Sequence, residues 1–285
     1  MKDTKIQWHP AFVAAMGLEL KQNRNDLIFE KEYNLNTKPL EIDLLVIKKE
    51  SSVQLTNEIG KFFRGHNIVE YKSPEDHLDI DTFYKTGAYA SLYKSYGKTV
   101  DSIKADAITV SIVREVKPIE LFRYFQEHGF EVENYCPGIY YVRNNVLFPT
   151  QIIVTRELCK SDHVWLRFLS ERLKKQDVIE FLENVRQLSD KEDQELADSV
   201  LEVGMEANKQ IIEELIGDEN MYETLMEIME PRIQQREKAK IEAERKKGIR
   251  LAVKSLQDLG TGTVDIKKVI IKNYGLSEEE IEEFL

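Results

Sequence analysis

The strongest constraint on the fold is a set of charged residues inside two stretches that otherwise have the composition of buried β-strands. Asp43 interrupts the apolar run of residues 42–47, and Glu70 and Lys72 flank Tyr71 in a second such run. A buried carboxylate costs several kcal/mol unless it is paired, hydrogen-bonded or bound to a metal. Because side chains alternate along a strand, Glu70 and Lys72 share one face, and Asp43 on a neighbouring strand can reach the same point. We therefore predict that two carboxylates and a lysine converge on a site for a hard cation.

The pattern of apolar residues around this motif predicts a mixed α/β fold. The first six elements are predicted as helix, three strands, helix and strand, at residues 10–22, 27–35, 40–47, 68–72, 79–96 and 107–113. A short helix and three further strands follow, at residues 118–128, 130–135, 139–143 and 146–155. Residues 36–39 end in proline and predict a turn, whereas residues 54–65 are ambiguous and are expected to hold a helical turn.

After residue 156 the pattern is wholly helical. Helices are predicted at residues 162–174, 177–188, 190–216, 220–230, 231–259, 264–273 and 277–285. Two of them begin with capping boxes, Ser189 with Glu192 and Ser277 with Glu280. We predict three parts: a nuclease-like α/β domain at residues 1–156, a helical extension at 157–230, and a long charged helix with a short helical pair at 231–285.

The last part carries an apolar stripe that needs a partner surface. The stripe has helical spacing and consists of Ile249, Ala252, Val253, Leu256 and Leu259. We expect the closing helices to fold back over it and to bury Ile266, Val269, Ile270, Ile281 and Leu285. This predicts an element for homo-oligomerisation or regulation. The alternative, a DNA-reading helix-turn-helix, conflicts with the five glutamates of residues 277–285, which phosphates would repel.

Bulk composition narrows the functional classes. A net charge of −11 excludes a generic nucleic-acid coat protein, although residues 1–155 are nearly neutral and the excess of acid lies after them. Two cysteines, Cys136 and Cys159, are too few for a disulfide framework. With neither a signal peptide nor an apolar run long enough for a bilayer, we predict a cytoplasmic protein with no membrane partner. A phosphate-cradling glycine loop is also missing from the sequence, so ATP dependence is not implied.

The triad of Asp43, Glu70 and Lys72, within this order of elements, resembles the PD-(D/E)xK nuclease superfamily. The residue before Asp43 is Ile42, where the name of the superfamily has proline. The sequence of residues 67–74, followed by Asp-Thr-Phe-Tyr-Lys at residues 81–85, further resembles the transposase-like, recombination-promoting nucleases of bacteria. The resemblance covers about residues 8–155.

This resemblance implies a restriction-endonuclease-like αβββαβ core and a metal-dependent endodeoxyribonuclease, related to transposition or recombination, that acts on DNA. Asp43, Glu70 and the main-chain carbonyl of Tyr71 would hold Mg²⁺, with Mn²⁺ as a substitute. The ion would polarise the phosphate and lower the pKa of a bound water. Lys72 would orient that water or stabilise the charge that builds on the phosphorus.

The resemblance also implies roles for residues outside the triad. Glu19 corresponds to an additional helix-borne catalytic carboxylate, unless it is only a surface residue beside an apolar stripe. Glu41 shares a strand face with Asp43 and is the rival third acid. Tyr84 and Lys85 lie on a helix expected to line the cleft and contact DNA, although packing in the core explains such a helix equally well.

Two functional hypotheses from different classes follow. In the first, the chain is the metal-dependent nuclease described above and its helical C-terminal region forms a homo-oligomer. In the second, the nuclease fold serves as a non-catalytic module for binding or assembly. For the triad itself, the alternative to a metal site is a plain Lys–Glu pair at an exposed edge of the sheet.

Overall fold

Seven strands from the first 155 residues form one mixed, open sheet in the computed structural model of the chain. The structure describes residues 6–35, 41–50, 52–216, 230, 241–242, 244–258 and 260–285. The chain divides into two compact units, Met1–Asp218 and Glu219–Leu285. The predicted turn at residues 36–39 lies outside the described residues, as does the helix predicted at 220–230 apart from residue 230. Of the helix predicted at 231–259, residues 231–240, 243 and 259 lie outside them.

The sheet combines antiparallel edges with a parallel centre. In chain order its strands are β1 (Leu27–Asn34), β2 (Glu41–Lys48), β3 (His66–Lys72), β4 (Ile108–Arg114), β5 (Glu131–Cys136), β6 (Ile139–Arg143) and β7 (Thr150–Val154). Their spatial order is β1-β2-β3-β4-β7-β6-β5. Only the central pairs β3–β4 and β4–β7 are parallel, and the other four are antiparallel. The predictions of an α/β fold and of a mixed sheet are confirmed.

Helices cover both faces of the sheet. They are α1 (Trp8–Glu19), α2 (Ile80–Ser95) and α3 (Ile119–Glu127). Ile68 of β3 shares a buried cluster with Phe83 of α2 and Phe125 of α3. Tyr71, an odd number of residues further along β3, instead stacks on Phe12 of α1, with ring centroids 4.5 Å apart. Because side chains alternate along a strand, α1 lies on one face, while α2 and α3 lie on the other.

The helical region that follows the sheet belongs to the first unit. Its helices are α4 (Val164–Arg167), α5 (Lys175–Arg186), α6 (Lys191–Ala207) and α7 (Lys209–Ile216). Leu196 of α6 packs so closely on Gly17 of α1 that a β-carbon added there would lie 3.2 Å from it. The predicted boundary between residues 156 and 157 therefore falls inside this unit.

Two of the predicted helices differ from the structure because of side-chain hydrogen bonds. The helix predicted at residues 162–174 is limited to α4, and the helix predicted at 190–216 is interrupted at Asn208. The buried Asn208 amide donates to the carbonyl of Ser170 at 2.6 Å and accepts from the N–H of Leu173 at 3.0 Å. These bonds tie the two segments together. The cap of α6 is Asp190, whose Oδ1 accepts the N–H groups of residues 192 and 193, and not the predicted Ser189.

The remaining differences in the first unit are smaller. The helix predicted at residues 10–22 ends at Glu19 and is followed by a 3-10 helix at Lys21–Asp26. The ambiguous stretch at residues 54–65 holds a 3-10 turn, Gly60–Phe62. The strand predicted at residues 146–155 is limited to β7.

The second unit contains a small helical core. Its described helices are α8 (residues 241–242 and 244–258) and α9 (Thr263–Tyr274), followed by a 3-10 helix at Glu280–Phe284. The buried cluster consists of Ile249, Val253, Ile266, Ile270 and Ile281, as predicted. Val269 and Leu285 are instead 41% and 38% exposed, which corrects their predicted burial. Ser277 and Glu280 form the predicted reciprocal cap, but on a 3-10 helix. None of the described helices in either unit combines the length and apolar character that crossing a membrane requires.

Candidate functional site

Asp43 and Glu70 lie just beyond the last paired residues of β2 and β3. That antiparallel ladder ends at the pair of Leu44 and Val69. Asp43 Oδ2 accepts the main-chain N–H of Tyr71 at 2.8 Å. Asp43 is also close enough to Glu70 for its charge to raise the pKa of that carboxyl group. The hydrogen bond therefore holds one oxygen of Asp43 at the strand that carries Glu70.

Lys72 lies on the same face as Glu70 and is hydrogen-bonded to it. Lys72 Nζ donates to Glu70 Oε1 at 2.8 Å, and the two side chains are only 16% and 6% exposed. The other oxygen, Glu70 Oε2, is buried and has no hydrogen-bond partner among the described residues. Leaving a buried acceptor unsatisfied costs about 1–3 kcal/mol, and more for a charged group. This oxygen is therefore available to a ligand that carries positive charge.

The electrostatics of the cluster also favour an added cation. Burial raises the pKa of Glu70 to about 6, and the neighbouring Asp43 adds to the rise. The pKa of Asp43 is also raised by burial, against the opposing effects of the Tyr71 N–H and nearby positive charges. For Lys72, burial favours the neutral form, but Glu70 outweighs it and the pKa of the lysine is raised. Even with Lys72 beside them, both carboxylates therefore resist ionisation.

The structure adds His9, which the sequence analysis missed. His9 Nε2 lies 3.8 Å from Asp43 Oδ2, and its ring meets that of Tyr71 edge-on, with centroids 5.7 Å apart. The imidazole is about half exposed. Sequence pattern offered no signal for this residue, because its role depends on the first turn of α1 lying over the end of β3.

Of the two residues predicted to contact DNA, the structure brings only Lys85 towards the carboxylates. The positive charge of Lys85 favours the ionised forms of both Asp43 and Glu70. Tyr84 is 54% exposed and lines a separate cleft of about 250 Å³ beside Leu147. Helix α2 therefore presents the two adjacent residues to different parts of the surface.

Glu19 does not approach this cluster, which corrects its predicted place beside Asp43 and Glu70. Glu19 is the last residue of α1, ten residues after His9, and a helix rises 1.5 Å per residue, so the two lie about 15 Å apart along the axis. Its carboxylate is buried and has partners on both oxygens. Oε2 accepts from Asn57 Nδ2 at 3.1 Å and contacts His163 Nδ1 at 2.9 Å, and Oε1 accepts the N–H of Leu166 at 3.3 Å.

The histidine beside Glu19 was also missed by the sequence analysis. His163 is 2% exposed, and its Nε2 lies 3.6 Å from Glu58 Oε2. Burial disfavours the charged imidazole, but the hydrogen bond and charge of Glu19 outweigh burial and raise the pKa of His163. His163 therefore serves as the counter-charge of the Glu19 carboxylate. The hydrogen bonds of that carboxylate also connect the end of α1 to α4.

In the described part of the chain, Asp43 and Glu70 are the two carboxylates that an ion at this site could contact. Within the described ranges, no three His, Cys, Asp or Glu side chains lie together closely enough to hold a metal. The rival acid Glu41 begins β2, where it is in register with Asn34 of β1. An ion between Asp43 and Glu70 would complete its shell with main-chain oxygen and water, as Mg²⁺ commonly does.

Comparison of the chain with protein-family models, with curated proteins and with solved structures finds no match.

Proposed function

We propose that this chain is a metal-dependent endodeoxyribonuclease. The observation that carries the proposal is the buried, unpartnered oxygen of Glu70, close to Asp43 and on the same strand face as Lys72. A carboxylate that only maintained the fold would have partners on both oxygens. The chain order α1-β1-β2-β3-α2-β4 adds support, because it is the order of the αβββαβ core that the resemblance to the PD-(D/E)xK superfamily implies.

The residues present fit a divalent cation. Asp43 and Glu70 would hold Mg²⁺, or Mn²⁺ in its place, with the main-chain carbonyl of Tyr71 as a further ligand. When bound, such an ion polarises the phosphodiester and lowers the pKa of a bound water. The raised pKa values of both carboxylates are what a site lacking its positive charge would have.

The side chains around the carboxylates have separate tasks in this proposal. Lys72 is held in place by Glu70 and keeps its charge, so its ammonium group stabilises the negative charge that develops on the phosphate. The N–H of Tyr71 fixes the orientation of Asp43. Lys85 supplies positive charge at the edge of the site, where the backbone of DNA would approach.

The wider role is proposed from the resemblance and from the second unit. Residues 67–74 and 81–85 favour DNA breakage in transposition or recombination, in the cytoplasm. The second unit is proposed to mediate self-association. The apolar cluster around Ile249 and Ile266 shows only that this unit has a core of its own.

A plasmid-nicking assay tests the activity. Wild-type protein with Mn²⁺ or Mg²⁺ should convert supercoiled DNA to nicked and linear forms, and Asp43→Asn should not, because it loses the charge that holds the ion. Asp106→Asn is the matched control, since Asp106 is exposed and precedes β4 at the opposite end from Arg114. Absence of nicking by the wild type, or nicking by Asp43→Asn at the wild-type rate, would contradict a nuclease and favour a non-catalytic binding role.

A further inference from the structure

Arg114 lies beside the proposed nuclease site on the next strand of the sheet. In the parallel register of β3 and β4, Arg114 pairs with Lys72, and Ile112 pairs with Glu70. Paired residues on neighbouring strands share a face, and strands lie about 4.8 Å apart. Both residues end their strands, at the carboxyl edge of the parallel part of the sheet, where open α/β sheets bind their ligands. Arg114 therefore stands on the site's own face, one strand away from Lys72.

The guanidinium of Arg114 is short of an anion. Its Nε is buried, and in the described part of the chain no group accepts a hydrogen bond from it. Burial lowers the pKa of Arg114, although the charges of Glu115 and Asp76 oppose this. A buried arginine normally has a partner that repays the loss of its hydration.

Two acids, Glu115 and Asp76, have charges that act on Arg114, and both hydrogen-bond to other groups. Glu115 Oε1 accepts from Arg156 at 2.6 Å and also from Ser170. Asp76 Oδ2 accepts from the hydroxyl of Ser73 at 2.7 Å and from its N–H at 3.2 Å. Within the described residues, no hydrogen bond joins either carboxylate to the Nε of Arg114.

Arg114 lines an open cleft of about 550 Å³. Lys117 lies on the same cleft, where its Nζ is 3.0 Å from the hydroxyl of Tyr140. Two acids also line the cleft, and each has a partner of its own: Asp79 caps α2 by accepting the N–H of residue 82 at 2.8 Å, and Glu120 pairs with Arg123 at 2.5 Å. Among the described residues, neither acid forms an ion pair with Arg114 or Lys117.

We propose that this cleft binds a phosphodiester group of the DNA backbone next to the one that is cleaved, with Arg114 as its main ligand and Lys117 at its rim. This inference rests on the proposed nuclease function and assigns the position of its substrate. The planar guanidinium can donate two parallel hydrogen bonds to a phosphate, which fixes register as well as adding affinity. A backbone phosphate held one strand away from Lys72 would set the scissile phosphate against Asp43 and Glu70.

Binding of a fluorescently labelled DNA duplex, measured by anisotropy with Ca²⁺ in place of Mn²⁺ and over a series of salt concentrations, tests this subsite. Arg114→Met should weaken binding about tenfold or more and reduce the slope of log affinity against log salt by about 0.9, the contribution of one phosphate contact. Arg114→Lys keeps the charge, so it should retain the slope and lose only part of the affinity. Arg143→Met, a change at an exposed arginine that ends β6 and pairs with Glu133, is the control and should match the wild type.

The outcomes separate this inference from the proposed function. In one outcome the wild type nicks plasmid DNA, and both Arg114 variants bind DNA with wild-type affinity and salt slope. That outcome would overturn the subsite without contradicting the nuclease. A second outcome is that Arg114→Met loses DNA affinity while the wild type shows no nicking activity. That outcome would support the subsite and overturn the nuclease. A third outcome is that binding of inorganic phosphate depends on Arg114 whereas binding of DNA does not. That outcome would show a site for free anions and overturn the proposal. If Arg114→Met unfolds, the salt slope and affinity of Arg114→Lys decide the question.

Discussion

Two buried carboxylates of this protein, Glu70 and Glu19, have almost the same exposure and opposite surroundings. They are 5% and 6% exposed, respectively. Both oxygens of Glu19 are hydrogen-bonded within the fold, whereas Oε2 of Glu70 has no such partner in the ranges that the structure describes. Burial alone therefore does not distinguish an acid that binds a ligand from one that maintains the structure. In our proposal, the unsatisfied oxygen of Glu70 makes that distinction.

The charges beside the two acids differ in the same way. Glu70 faces a second carboxylate, Asp43, which helps raise its pKa to about 6. Glu19 faces His163, whose own pKa it raises. The Glu19 carboxylate has a buried histidine as its counter-charge. In the other cluster two acids share Lys72, the cation hydrogen-bonded to Glu70, while Lys85 and His9 act on them from nearby. We expect an ion to supply the difference.

Removing Glu19 should produce the largest change in stability. Glu19→Ala leaves His163 buried without its partner, so the free energy of unfolding should fall by about 3–5 kcal/mol. Mn²⁺ affinity should stay within about twofold of wild type, because the site is about 15 Å away along α1. Urea denaturation measures the first quantity and calorimetry the second. Loss of Mn²⁺ binding by a folded Glu19→Ala protein would remove the distinction between the two clusters.

The same pair has a defined pH dependence. The pKa of His163 is raised above its ordinary value of 6.5, so the stability that its charge contributes is fully present below that value. It is lost as the pH rises through the raised pKa. The deficit of Glu19→Ala should therefore be larger at pH 6 than at pH 9. An equal deficit at both values would show that the histidine is not charged in the folded protein.

Replacing Lys72 should separate cleavage from metal binding. Lys72→Met removes the ammonium group expected to stabilise the transition state, so cleavage should fall by about 10²–10³-fold. Mn²⁺ binding should persist, because the lysine is not a ligand. The control Lys98→Met changes an exposed lysine after α2 and should cleave normally. A Lys72→Met protein that cleaves like the wild type would show that this ammonium group only neutralises Glu70.

The sequence was sufficient to predict that Glu70 and Lys72 share a face of one strand, but not which helix end lies beside them. The first point follows from the alternation of strand side chains, which needs only the residue numbers. The proximity of Asp43 depends on how its strand pairs with β3, which residue numbers do not give. Glu19 was expected beside the carboxylates from the family resemblance, and His9 was missed, because a helical pattern does not show which end of α1 lies over which strand end.

The same limit applies to long-range hydrogen bonds. The period of apolar residues runs without a break through residues 190–216, but the buried amide of Asn208 binds the main chain at Leu173 and Ser170 and interrupts the helix. A local pattern contains no information about partners so far away in the chain. The sequence likewise gives no sign that Arg114, at the end of its strand, is paired with Lys72, because that pairing depends on the register of β3 and β4.

Metal affinity should fall in acid more steeply at this site than at an exposed pair of carboxylates. Burial raises the pKa of Glu70 from 4.5 to about 6. The metal-free protein should therefore lose stability as the pH rises through about 6. Bound Mn²⁺ should restore that stability. Below pH 6 protons compete with the ion, and affinity should drop about tenfold per pH unit for each proton displaced. Thermal unfolding with and without Mn²⁺ at pH 5 and 7.5 measures this. An equal rise in Tm at both values would contradict it.

Calorimetric titration of Mn²⁺ into the wild type, Glu70→Gln and Glu19→Gln compares the two buried acids most directly. Glutamine keeps the shape of each side chain and removes its charge. The wild type and Glu19→Gln should bind Mn²⁺ at the Asp43 site, and Glu70→Gln should show no binding there. If Glu70→Gln binds Mn²⁺ as the wild type does, or if the wild type binds none, the unpartnered oxygen of Glu70 does not mark a metal site.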